Sequence, residues 1–514
     1  MKALMKKGFN WLDSLFSKAF TPAWNPLYQL GALSFFYFWI VTLTGIYLFI
    51  FFETSITGAY DSMERISVEQ WYLGGIMRSF HRYASAAMGV CVTLHLLREF
   101  AMDRYSGVRW YSWVTGIPLL WLLFGSAIGG YWLVWDIQAQ YIAVMTADLF
   151  DWLPFMVDPM AGNFLNESAL SDRFFSLLVF LHIGIPLALL LGMFIHIKRV
   201  TGARTDPPRG LAVGTLLAML LVSLWQPALS QAPANLDVAI TTLGLDWIYL
   251  NPYPLIESWG PGRTWALLVG FSSFLTILPW LPSRRAQQAP IAVVDPENCN
   301  GCGWCLADCP YEAVSLKVHD FKKGHKQSVV DPDLCISCGI CAGACPTSSP
   351  FRHVDELVTG ISLPDFHIKE LLSVTENRLR TLSSAGPRIM VYGCDHGSAV
   401  DELASPSVAS VSLACTAQLP PAFIDYVLRK DLADGVMISG CCEVDCHYRL
   451  GNTWFDKRFS QERVPVLRAR VPREQIRLRW LGAQGTAQLA REVAQFQMAL
   501  RKKEPAAEEE LSND

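Results

Sequence analysis

The hydrophobic residues of this chain are concentrated before residue 283. Six apolar segments in that region are long enough to cross about 30 Å of hydrocarbon. They cover residues 31–52, 75–97, 113–135, 174–197, 210–229 and 264–282. Residues 290–514 contain no apolar run of that length, and short apolar runs alternate there with polar stretches. The pattern predicts a multi-domain protein, with an all-α bundle of six transmembrane helices followed by soluble domains.

The first 30 residues differ from the six segments because lysines interrupt their apolar side chains. Helical spacing puts the large apolar groups along one side, between Lys2, Lys6, Lys7 and Lys18. This pattern is typical of an amphipathic helix in the membrane interface, and residues 1–30 are predicted to form one. The stretch lacks the uninterrupted apolar core and cleavage site of a secretory signal. A disordered leader is the alternative.

The distribution of Lys and Arg between the apolar segments predicts their orientation. Thirteen lie in the N-terminal stretch and in the connections 98–112, 198–210 and 283–290, against three in the loops 53–74, 136–173 and 230–263. Cytoplasmic connections of membrane proteins carry the excess of basic residues. We therefore expect a multi-pass protein of the inner membrane, with the N-terminus and everything after residue 283 in the cytoplasm.

The cysteines divide the chain at the same place as the hydrophobic residues. Cys91 is the one cysteine before residue 283, and the other 13 lie in residues 290–514. Thiols in a reducing cytoplasm are more often metal ligands than disulfides, so the soluble part is predicted to hold metal centres. The net charge of −4 offers no basic surface for nucleic acid.

Four histidines occupy matched positions in two of the apolar segments. His81 and His95 are 14 residues apart in the second segment, and His182 and His196 are 14 apart in the fourth. This spacing is close to four helical turns, so the two imidazoles of one helix point the same way about 21 Å apart. Both segments run inward, so His81 and His182 share the outer depth and His95 and His196 share the inner depth.

Two facing imidazoles can ligate a haem iron from both sides and leave no open position for oxygen. Ionisable residues are costly in lipid and mark functional sites, although hydrogen bonding between helices is a simpler use for one histidine. Four glycines repeat the 14-residue spacing in the first and third segments: Gly31, Gly45, Gly116 and Gly130. Missing side chains at these positions would let flat macrocycles pack against backbone, with ordinary helix packing as the alternative.

Three sequence runs make a resemblance specific: RSFHRYASAAMGVCVTLHLLREF, GGYWLVWDIQAQY and LVFLHIGIPLALLLGMFIHIKR. They resemble cytochrome b of the quinol-oxidising bc and b6f complexes, over about residues 20–200. The resemblance implies two b haems, an outer one held by His81 with His182 and an inner one held by His95 with His196. Cytochrome b also carries a Pro-Glu-Trp-Tyr motif between its fifth and sixth helices. Asp246-Trp247 stands there in this chain, so Asp246 is a candidate proton acceptor for a quinone, with a solvated loop residue as the alternative.

The most specific motif follows a polar linker. The run CNGCGWCLADCP carries Cys299, Cys302, Cys305 and Cys309, and CISCGICAGACP carries Cys335, Cys338, Cys341 and Cys345. In each run three thiolates can hold one cubane while the fourth is directed to the other cluster, whereas zinc sites use four ligands in two pairs. The runs resemble bacterial two-cluster ferredoxins. That implies one 4Fe–4S centre on Cys299, Cys302, Cys305 and Cys345, and another on Cys335, Cys338, Cys341 and Cys309.

A third group of cysteines lies in residues 388–480. Short apolar runs alternate there with helical stretches, which predicts an α/β domain with a parallel sheet. Cys394, Cys415 and Cys441 each end such a run, and Cys446 follows in GCCEVDCHYRLGN. The segment resembles the delta subunit of methyl-viologen-reducing hydrogenase. That implies a 2Fe–2S cluster on Cys394, Cys415, Cys441 and Cys446, with Cys442 as an alternative ligand, His447 as an orienting residue, and a flavoprotein as electron partner.

These readings predict six regions along the chain. They are the interfacial helix 1–30, a di-haem four-helix domain 31–200, two further helices with an outer quinone-site-like loop 201–283, an α+β ferredoxin domain with its linker 284–385, the α/β 2Fe–2S domain 386–482, and a C-terminal helix and charged tail 483–514. No Gly-rich dinucleotide fingerprint is visible, so the dehydrogenase chain is expected to be separate.

The favoured reading is a membrane electron-transfer subunit that links a cytoplasmic flavoprotein or dehydrogenase to the quinone pool. Electrons would pass through the 2Fe–2S centre, the two 4Fe–4S centres and the two haems. The chain is expected to belong to a hetero-oligomer, and a dimer formed through the cytochrome b part is an option. Two alternatives remain. Quinol could drive the reduction of a low-potential cytoplasmic acceptor, with or without electron bifurcation, or the chain could anchor a hydrogenase or formate dehydrogenase. A redox-sensing scaffold is a more distant reading.

Overall fold

The computed structural model describes residues 2–154, 171–198, 203–238, 240, 242–281, 290–351, 358–364, 367–383 and 386–501. Parts of the predicted outer loop 136–173, of the linker after residue 283 and of the charged C-terminal tail lie outside them. The chain divides into two compact units. One contains Met1–Phe9 and Trp24–Leu281, and the other contains Asn10–Ala23 and Pro282–Asp514.

The regular structure described in the first unit is helical. The α-helices of the chain as far as Leu281 are α1 (Lys2–Trp24), α2 (Leu30–Phe51), α3 (Gly58–Glu64), α4 (Ile76–Ala101), α5 (Trp110–Val134), α6 (Ile137–Asp151), α7 (Asp172–Ile197), α8 (Arg209–Trp225), α9 (Tyr253–Trp259) and α10 (Pro261–Ile277). Two π-helical turns, Arg65–Glu69 and Trp71–Gly75, precede α4. Short 3₁₀ turns lie at Pro26–Tyr28, Gly107–Arg109 and Leu278–Trp280. α1 has a non-helical residue, Thr21, just before Pro22.

Each of the six predicted apolar segments coincides with a helix: α2, α4, α5, α7, α8 and α10. Within the described residues, three helices are long and apolar enough to cross a membrane: Leu30–Phe51, Gly107–Val134 and Asp172–Ile197. α8 and α10 end before the predicted limits of 229 and 282. Proline explains both early ends, because it has no backbone N–H to continue the hydrogen bonds of an α-helix. Pro227 follows the C-cap of α8, and Pro279 lies in the 3₁₀ turn that closes α10.

Four of the helices pack in two close pairs, α2 along α4 and α5 along α7. A buried cluster takes one residue from each of these helices and one from the loop before α9: Phe38, Met88, Leu123, Leu189 and Tyr249. Loops that the sequence predicted only as connections contain the helices α3, α6 and α9. α6 begins at Asp136, whose Oδ1 accepts hydrogen bonds from the backbone N–H groups of Gln138 and Ala139, both at 3.0 Å.

The second unit contains two small antiparallel sheets. β1 (Val293–Val294) pairs with β4 (Ile361–Ser362), and β2 (Val314–Val318) pairs with β3 (Lys326–Val330). Two short helices, α11 (Trp304–Asp308) and α12 (Ile340–Ala344), each follow a glycine in a left-handed conformation, Gly303 and Gly339. A left-handed turn is accessible to glycine without steric cost, and it lets the chain reverse between successive cysteines.

The remainder of this unit is a four-stranded parallel sheet with the order β6-β5-β7-β8. Its strands are β5 (Ile389–Cys394), β6 (Val408–Leu413), β7 (Gly435–Gly440) and β8 (Ile476–Trp480). Its helices are α13 (Ile368–Arg380), α14 (Pro421–Arg429), α15 (Gly451–Phe459) and α16 (Thr486–Arg501). Helices cover both faces of the sheet. Met390 and Tyr392 pack toward α13 and α14, while Ile389 and Val391 pack toward α16.

Candidate redox sites

The outer pair of histidines faces across the space between α4 and α7. The ring centroids of His81 and His182 are 6.2 Å apart, and their planes are inclined at 60°. If one iron were bound between the two rings, two metal–nitrogen bonds would span about 4 Å of this separation. The two distances from nitrogen to ring centre would span the rest. The separation of the rings therefore fits two imidazoles that hold one iron.

Hydrogen bonds orient both rings of the outer pair. The Nδ1 of His81 donates to the carbonyl oxygen of Val41 at 3.0 Å, and that of His182 donates to the carbonyl oxygen of Ser126 at 3.0 Å. A carbonyl oxygen only accepts, so Nδ1 carries the proton and Nε2 keeps its lone pair in the neutral ring. Metal-ligating histidines commonly have this second hydrogen bond, which fixes the tautomer and the ring orientation.

The inner pair of histidines lies on the same two helices, α4 and α7. His95 and His196 lie close enough to interact electrostatically, and the backbone of Ser112 hydrogen-bonds to the His196 ring. The Nδ1 of His196 also lies 3.2 Å from Oγ1 of Thr115. The structure therefore brings together both pairs that the 14-residue spacing predicted.

Each of the four predicted glycines lies against a different one of these histidines. A Cβ atom at Gly130 would be 2.9 Å from Cε1 of His182, and one at Gly45 would be 3.0 Å from Cε1 of His81. The corresponding distances are 3.2 Å from Gly116 to His196 and 3.8 Å from Gly31 to His95. The glycines thus make room for the imidazole rings, a role that the sequence reading did not assign. Packing of a macrocycle against them stays a prediction.

We expect Gly130→Ala to reduce occupancy of the outer haem, because the new methyl group would displace the His182 ring. Gly129→Ala is the matched control, since its Cβ would meet His182 at an ordinary 3.7 Å. Haem content per chain and the redox titration of the reduced absorption band measure the effect. If the two variants had the same haem content and the same redox titration, the close contact between Gly130 and the His182 ring would be unimportant for haem binding.

Asp246 is a buried carboxylate that forms an ion pair with a partly exposed arginine. Its side chain is 8% exposed, and it pairs with Arg82, which follows His81 on α4. Tyr131 of α5 donates to the same carboxylate and accepts from Arg82. The second carboxylate oxygen accepts the backbone N–H of Ile248 at 2.7 Å. The alternative of a solvated loop residue is therefore wrong, because the loop folds onto the outer ends of α4 and α5.

The first predicted ferredoxin set is gathered around Ser328 of β3. The Sγ of Cys305 is 3.0 Å from the hydroxyl of Ser328, whose backbone N–H donates to Sγ of Cys299 at 3.5 Å. Burial and the nearby thiols of Cys345, Cys302 and Cys299 together raise the pKa of Cys305 to about 11. Cys345 of the second run is thus a neighbour of the first set, as the ferredoxin resemblance implies.

The second ferredoxin set lines one largely apolar cavity. Four thiols border it: Cys309, Cys335, Cys338 and Cys341. Burial raises the pKa of Cys338 to about 12, and the nearby thiols of Cys309 and Cys335 act in the same direction. Backbone N–H groups donate to two of the sulfurs, from Ala313 to Cys309 at 3.3 Å and from Ala292 to Cys335 at 3.5 Å. Such N–H bonds to sulfur are one of the features that tune iron–sulfur potentials.

The third set lies beyond the carboxyl ends of β5, β6 and β7. Cys394, Cys441 and Cys446 form one buried cluster. A hydrogen bond from Cys394 raises the pKa of Cys441, and the neighbouring Cys446 thiol raises the pKa of Cys415 after burial itself. A Cβ at Gly451 would be 2.3 Å from Sγ of Cys415 and 3.5 Å from Sγ of Cys446, so the start of α15 closes this site.

Two further positions bear on the ligands of the third set. Cys442 is buried and its Cβ lies 4.0 Å from the Cβ position of Gly482, so it also packs against the loop after β8. A Cβ at Gly397 would be 2.9 Å from the carbonyl oxygen of Gly440. A side chain at this position would therefore crowd the end of β7, next to Cys441. His447 stacks on His396 with ring centroids 3.5 Å apart.

All three cysteine sets suit iron–sulfur clusters by their donors, since each offers four thiols. Among the residues that the structure describes, no three His, Cys, Asp or Glu side chains converge closely enough to hold a single metal ion. A cluster with several irons spreads its thiolates around a larger body than one ion does.

Sequence reasoning missed several residues that touch these sites. Arg82 had a signal, because a charge inside an apolar span is itself a mark of function. Tyr131, Gly451 and Arg458 had none, because their partners at the sites come from distant parts of the chain.

Comparison with known protein families finds matches for three stretches of the chain. Residues 15–202 match the family Cytochrome b/b6/petB, residues 282–349 match the 4Fe-4S dicluster domain, and residues 388–502 match the delta subunit of methyl-viologen-reducing hydrogenase. The last match continues beyond the predicted boundary at 482, to include α16. The predicted resemblances are confirmed, and the cytochrome b and 4Fe–4S matches imply b haem and iron–sulfur clusters.

Individual relatives agree with the family match. Cytochrome b6 of Heliobacterium modesticaldum is 31% identical over 188 residues, which are 36% of this chain and 86% of the relative. Cytochrome b of Rhodospirillum rubrum is 25% identical over 319 residues, 55% of this chain and 76% of the relative. Among solved structures, a chain described as Hyperthermophilic respiratory Complex III aligns with a TM-score of 0.40 and 20% identity. That alignment covers 50% of this chain and 76% of the other.

Proposed function

Because the chain belongs to the cytochrome b/b6 family and continues into two iron–sulfur domains, we propose that it carries electrons between a cytoplasmic flavoprotein and membrane quinone. Its side chains would hold two b haems, two 4Fe–4S clusters and one 2Fe–2S cluster. These groups take up and release single electrons when bound. The primary substrate would be handled by a separate chain of a hetero-oligomeric complex in the inner membrane, with the iron–sulfur domains in the cytoplasm.

The two histidine pairs are the observation that carries this proposal. In each pair one imidazole lies on α4 and the other on α7. Backbone groups hydrogen-bond to both rings of the outer pair and to the His196 ring of the inner pair. The contribution of this chain is therefore to orient the Nε2 atoms at two depths between α4 and α7 and to exclude solvent from them. Such preorganised ligation suits electron transfer, because little has to move when the charge changes.

Purification of the chain with its natural partners tests the proposal. We expect the complex to contain flavin, haem, iron and labile sulfide, and reduced nicotinamide to reduce the haems until a quinone analogue reoxidises them. A complex whose haem redox state never responds to quinone would contradict it and would favour the role of a membrane anchor for a hydrogenase or formate dehydrogenase.

An uncoupler distinguishes the two directions of electron flow in sealed vesicles. Movement of one charge against the membrane potential costs about 2.3 kcal/mol per 100 mV. If quinol drives the reduction of a cytoplasmic acceptor inward through the membrane, an uncoupler should stop or slow that reaction. If electrons flow outward to quinone, the same addition should leave the rate unchanged or increase it.

Asp246 is the candidate proton acceptor at the outer face. We expect Asp246→Asn to lower quinone turnover by about a hundredfold, in the range of lost general-base catalysis. The carboxylate would move to accept a proton from the site it shares with Arg82 and Tyr131. Steady-state quinone turnover is measured together with haem content, since loss of one partner of a buried ion pair can also destabilise a fold.

Two matched variants separate proton transfer from structure in this test. Asp237→Asn makes the same change at an exposed position of the same outer connection and should have no effect. Asp246→Glu restores a carboxylate and should recover part of the turnover. If Asp246→Asn kept its haem and its normal quinone turnover, Asp246 would have no role in proton transfer and would serve only in its ion pair.

A further inference from the structure

The second and third cysteine sets meet in the second unit. One buried apolar cluster contains Cys338 of the second ferredoxin set and Cys415 of the third set, together with Tyr448. Tyr311, Ile336 and Trp454 pack around it. Burial raises the pKa of Tyr448, and the nearby thiols of Cys338 and Cys415 raise it further, which places the phenol close to both sets.

The two domains approach each other by backbone at this point. A Cβ at Gly343 of α12 would be 2.0 Å from the carbonyl oxygen of Ala417. A Cβ at Gly339 would be 2.7 Å from the side chain of Gln418. No larger side chain fits at either position, so the segment after Cys415 lies directly on the helix that contains Cys341.

Arg458 of α15 ties three cysteine-bearing segments together. Its guanidinium forms an ion pair with Asp308, which precedes Cys309, and it donates to the carbonyl oxygen of Ala417 at 2.7 Å and to that of Ile340 at 3.3 Å. The side chains of Arg458 and Asp308 are 0% and 2% exposed. One buried cation thus contacts the neighbours of Cys309, Cys341 and Cys415.

A second, partly exposed arginine forms an ion pair with the same carboxylate. Arg463 pairs with Asp308 and donates to the carbonyl oxygen of Ala307 at 2.8 Å. Its guanidinium lies 3.7 Å from the centre of the Trp454 ring, and the indole N–H of Trp454 donates to the backbone oxygen of Asp308 at 3.1 Å. The buried charges are therefore paired and hydrogen-bonded, the condition under which ions are tolerated inside a protein.

We propose that Arg458 is a positioning residue that sets the third cysteine set against the second ferredoxin set, so that electrons pass directly between these two and reach the first set afterwards. This rests on the proposed function, in which each set holds a cluster. Cys394, Cys415, Cys441 and Cys446 would hold the centre that gives up one electron, and Cys309, Cys335, Cys338 and Cys341 would hold the centre that accepts it. No bond or proton changes, and the electron donor is a reduced flavoprotein.

The geometry favours this order over a direct transfer from the third set to the first. Cys415 of the third set shares one buried cluster with Cys338, which belongs to the second ferredoxin set. Cys302 of the first set is exposed, whereas Cys338 and Cys341 are buried. One thiol of the first set is thus exposed, whereas the thiol of the second set that packs in one cluster with Cys415 is buried.

The test uses the full-length chain with Arg458→Lys, Asp308→Asn and, as control, Arg468→Gln. Lysine keeps the charge but cannot reach three acceptors, and Asp308→Asn removes only the paired charge. Arg468 is half exposed and shares Asp425 with Arg470, away from the three segments. Iron and sulfide content, the magnetic interaction between reduced centres in electron paramagnetic resonance, and the rate of 4Fe–4S reduction after mixing with a reduced flavin are measured.

In the unchanged chain and in Arg468→Gln, we expect a magnetic interaction between the 2Fe–2S centre and one 4Fe–4S centre. Arg458→Lys should weaken that interaction and slow 4Fe–4S reduction by at least about tenfold, as small misplacements of redox partners do. The proposal would be overturned if an Arg458→Lys protein with full iron content had the same magnetic interaction and the same rate of 4Fe–4S reduction as the unchanged chain. If that variant loses iron, Asp308→Asn decides by the same criteria. Absence of all cluster signals from the unchanged chain would instead contradict the proposed function.

Discussion

Replacement of His81 by leucine is expected to lower the b haem content from about two per chain to about one, because each iron needs both imidazoles of its pair. His182→Leu should give the same loss, since its ring faces that of His81 at 6.2 Å between centroids. The double variant should lose no more than either single one. Pyridine haemochrome content and a redox titration of the remaining band measure these results.

The inner pair supplies the complementary experiment. His95→Leu and His196→Leu should remove the other haem, which titrates at a different potential. Thr93→Leu is the control, since it places the same side chain on α4 at an exposed position. If His81→Leu and His182→Leu each removed a different haem, the double variant would contain no haem. That result would mean that these two residues do not share one iron.

Replacement of Cys345 by serine is expected to remove the same 4Fe–4S centre as replacement of Cys299, although the two residues lie in different runs. Cys345 is among the thiols that raise the pKa of Cys305. Cys309→Ser should likewise affect the centre of Cys335 and Cys338, which interact with it. Each variant should lose about half of the 4Fe–4S signal, because a cubane needs its four thiolates.

Cys91→Ser serves as the control, since Cys91 lies in the membrane unit beside Leu30 and Leu33. Iron, labile sulfide and electron paramagnetic resonance spectra of the dithionite-reduced protein identify which centre is lost. If Cys345→Ser abolished the centre that depends on Cys335 and Cys338, each run would hold its own cluster and the crossed arrangement would be wrong.

The local pattern of the sequence was sufficient for the parts of the fold that depend on periodicity. A 14-residue spacing on a helix fixes a direction and a height, so His81 and His95 could be matched with His182 and His196 without a structure. The strands β5, β6, β7 and β8 were visible because each is a short apolar run between polar stretches. Hydropathy alone extended α8 and α10 too far, because it does not register that Pro227 and Pro279 lack the backbone N–H that would continue each helix.

Contacts between distant segments could not be predicted in this way. Asp246 was identified from its place in the loop, but its partners Arg82 and Tyr131 lie on two other helices and turn a solvated position into a buried one. The partners of Arg458 are between 41 and 150 residues away, and nothing beside it in the sequence marks it as buried. The glycines were assigned to macrocycle packing, which stays a prediction, and their contacts with the histidines depend on residues of neighbouring helices.

The absorption spectrum of the unmodified, dithionite-reduced protein tests the central claim most directly. Two bis-histidine sites predict a b-type alpha band that titrates in two steps, about two haems per chain, and no change on addition of carbon monoxide, because both axial positions are filled. A spectrum without a b-type alpha band would contradict the account. A shift with carbon monoxide would also contradict it, since it would reveal an open position on the iron.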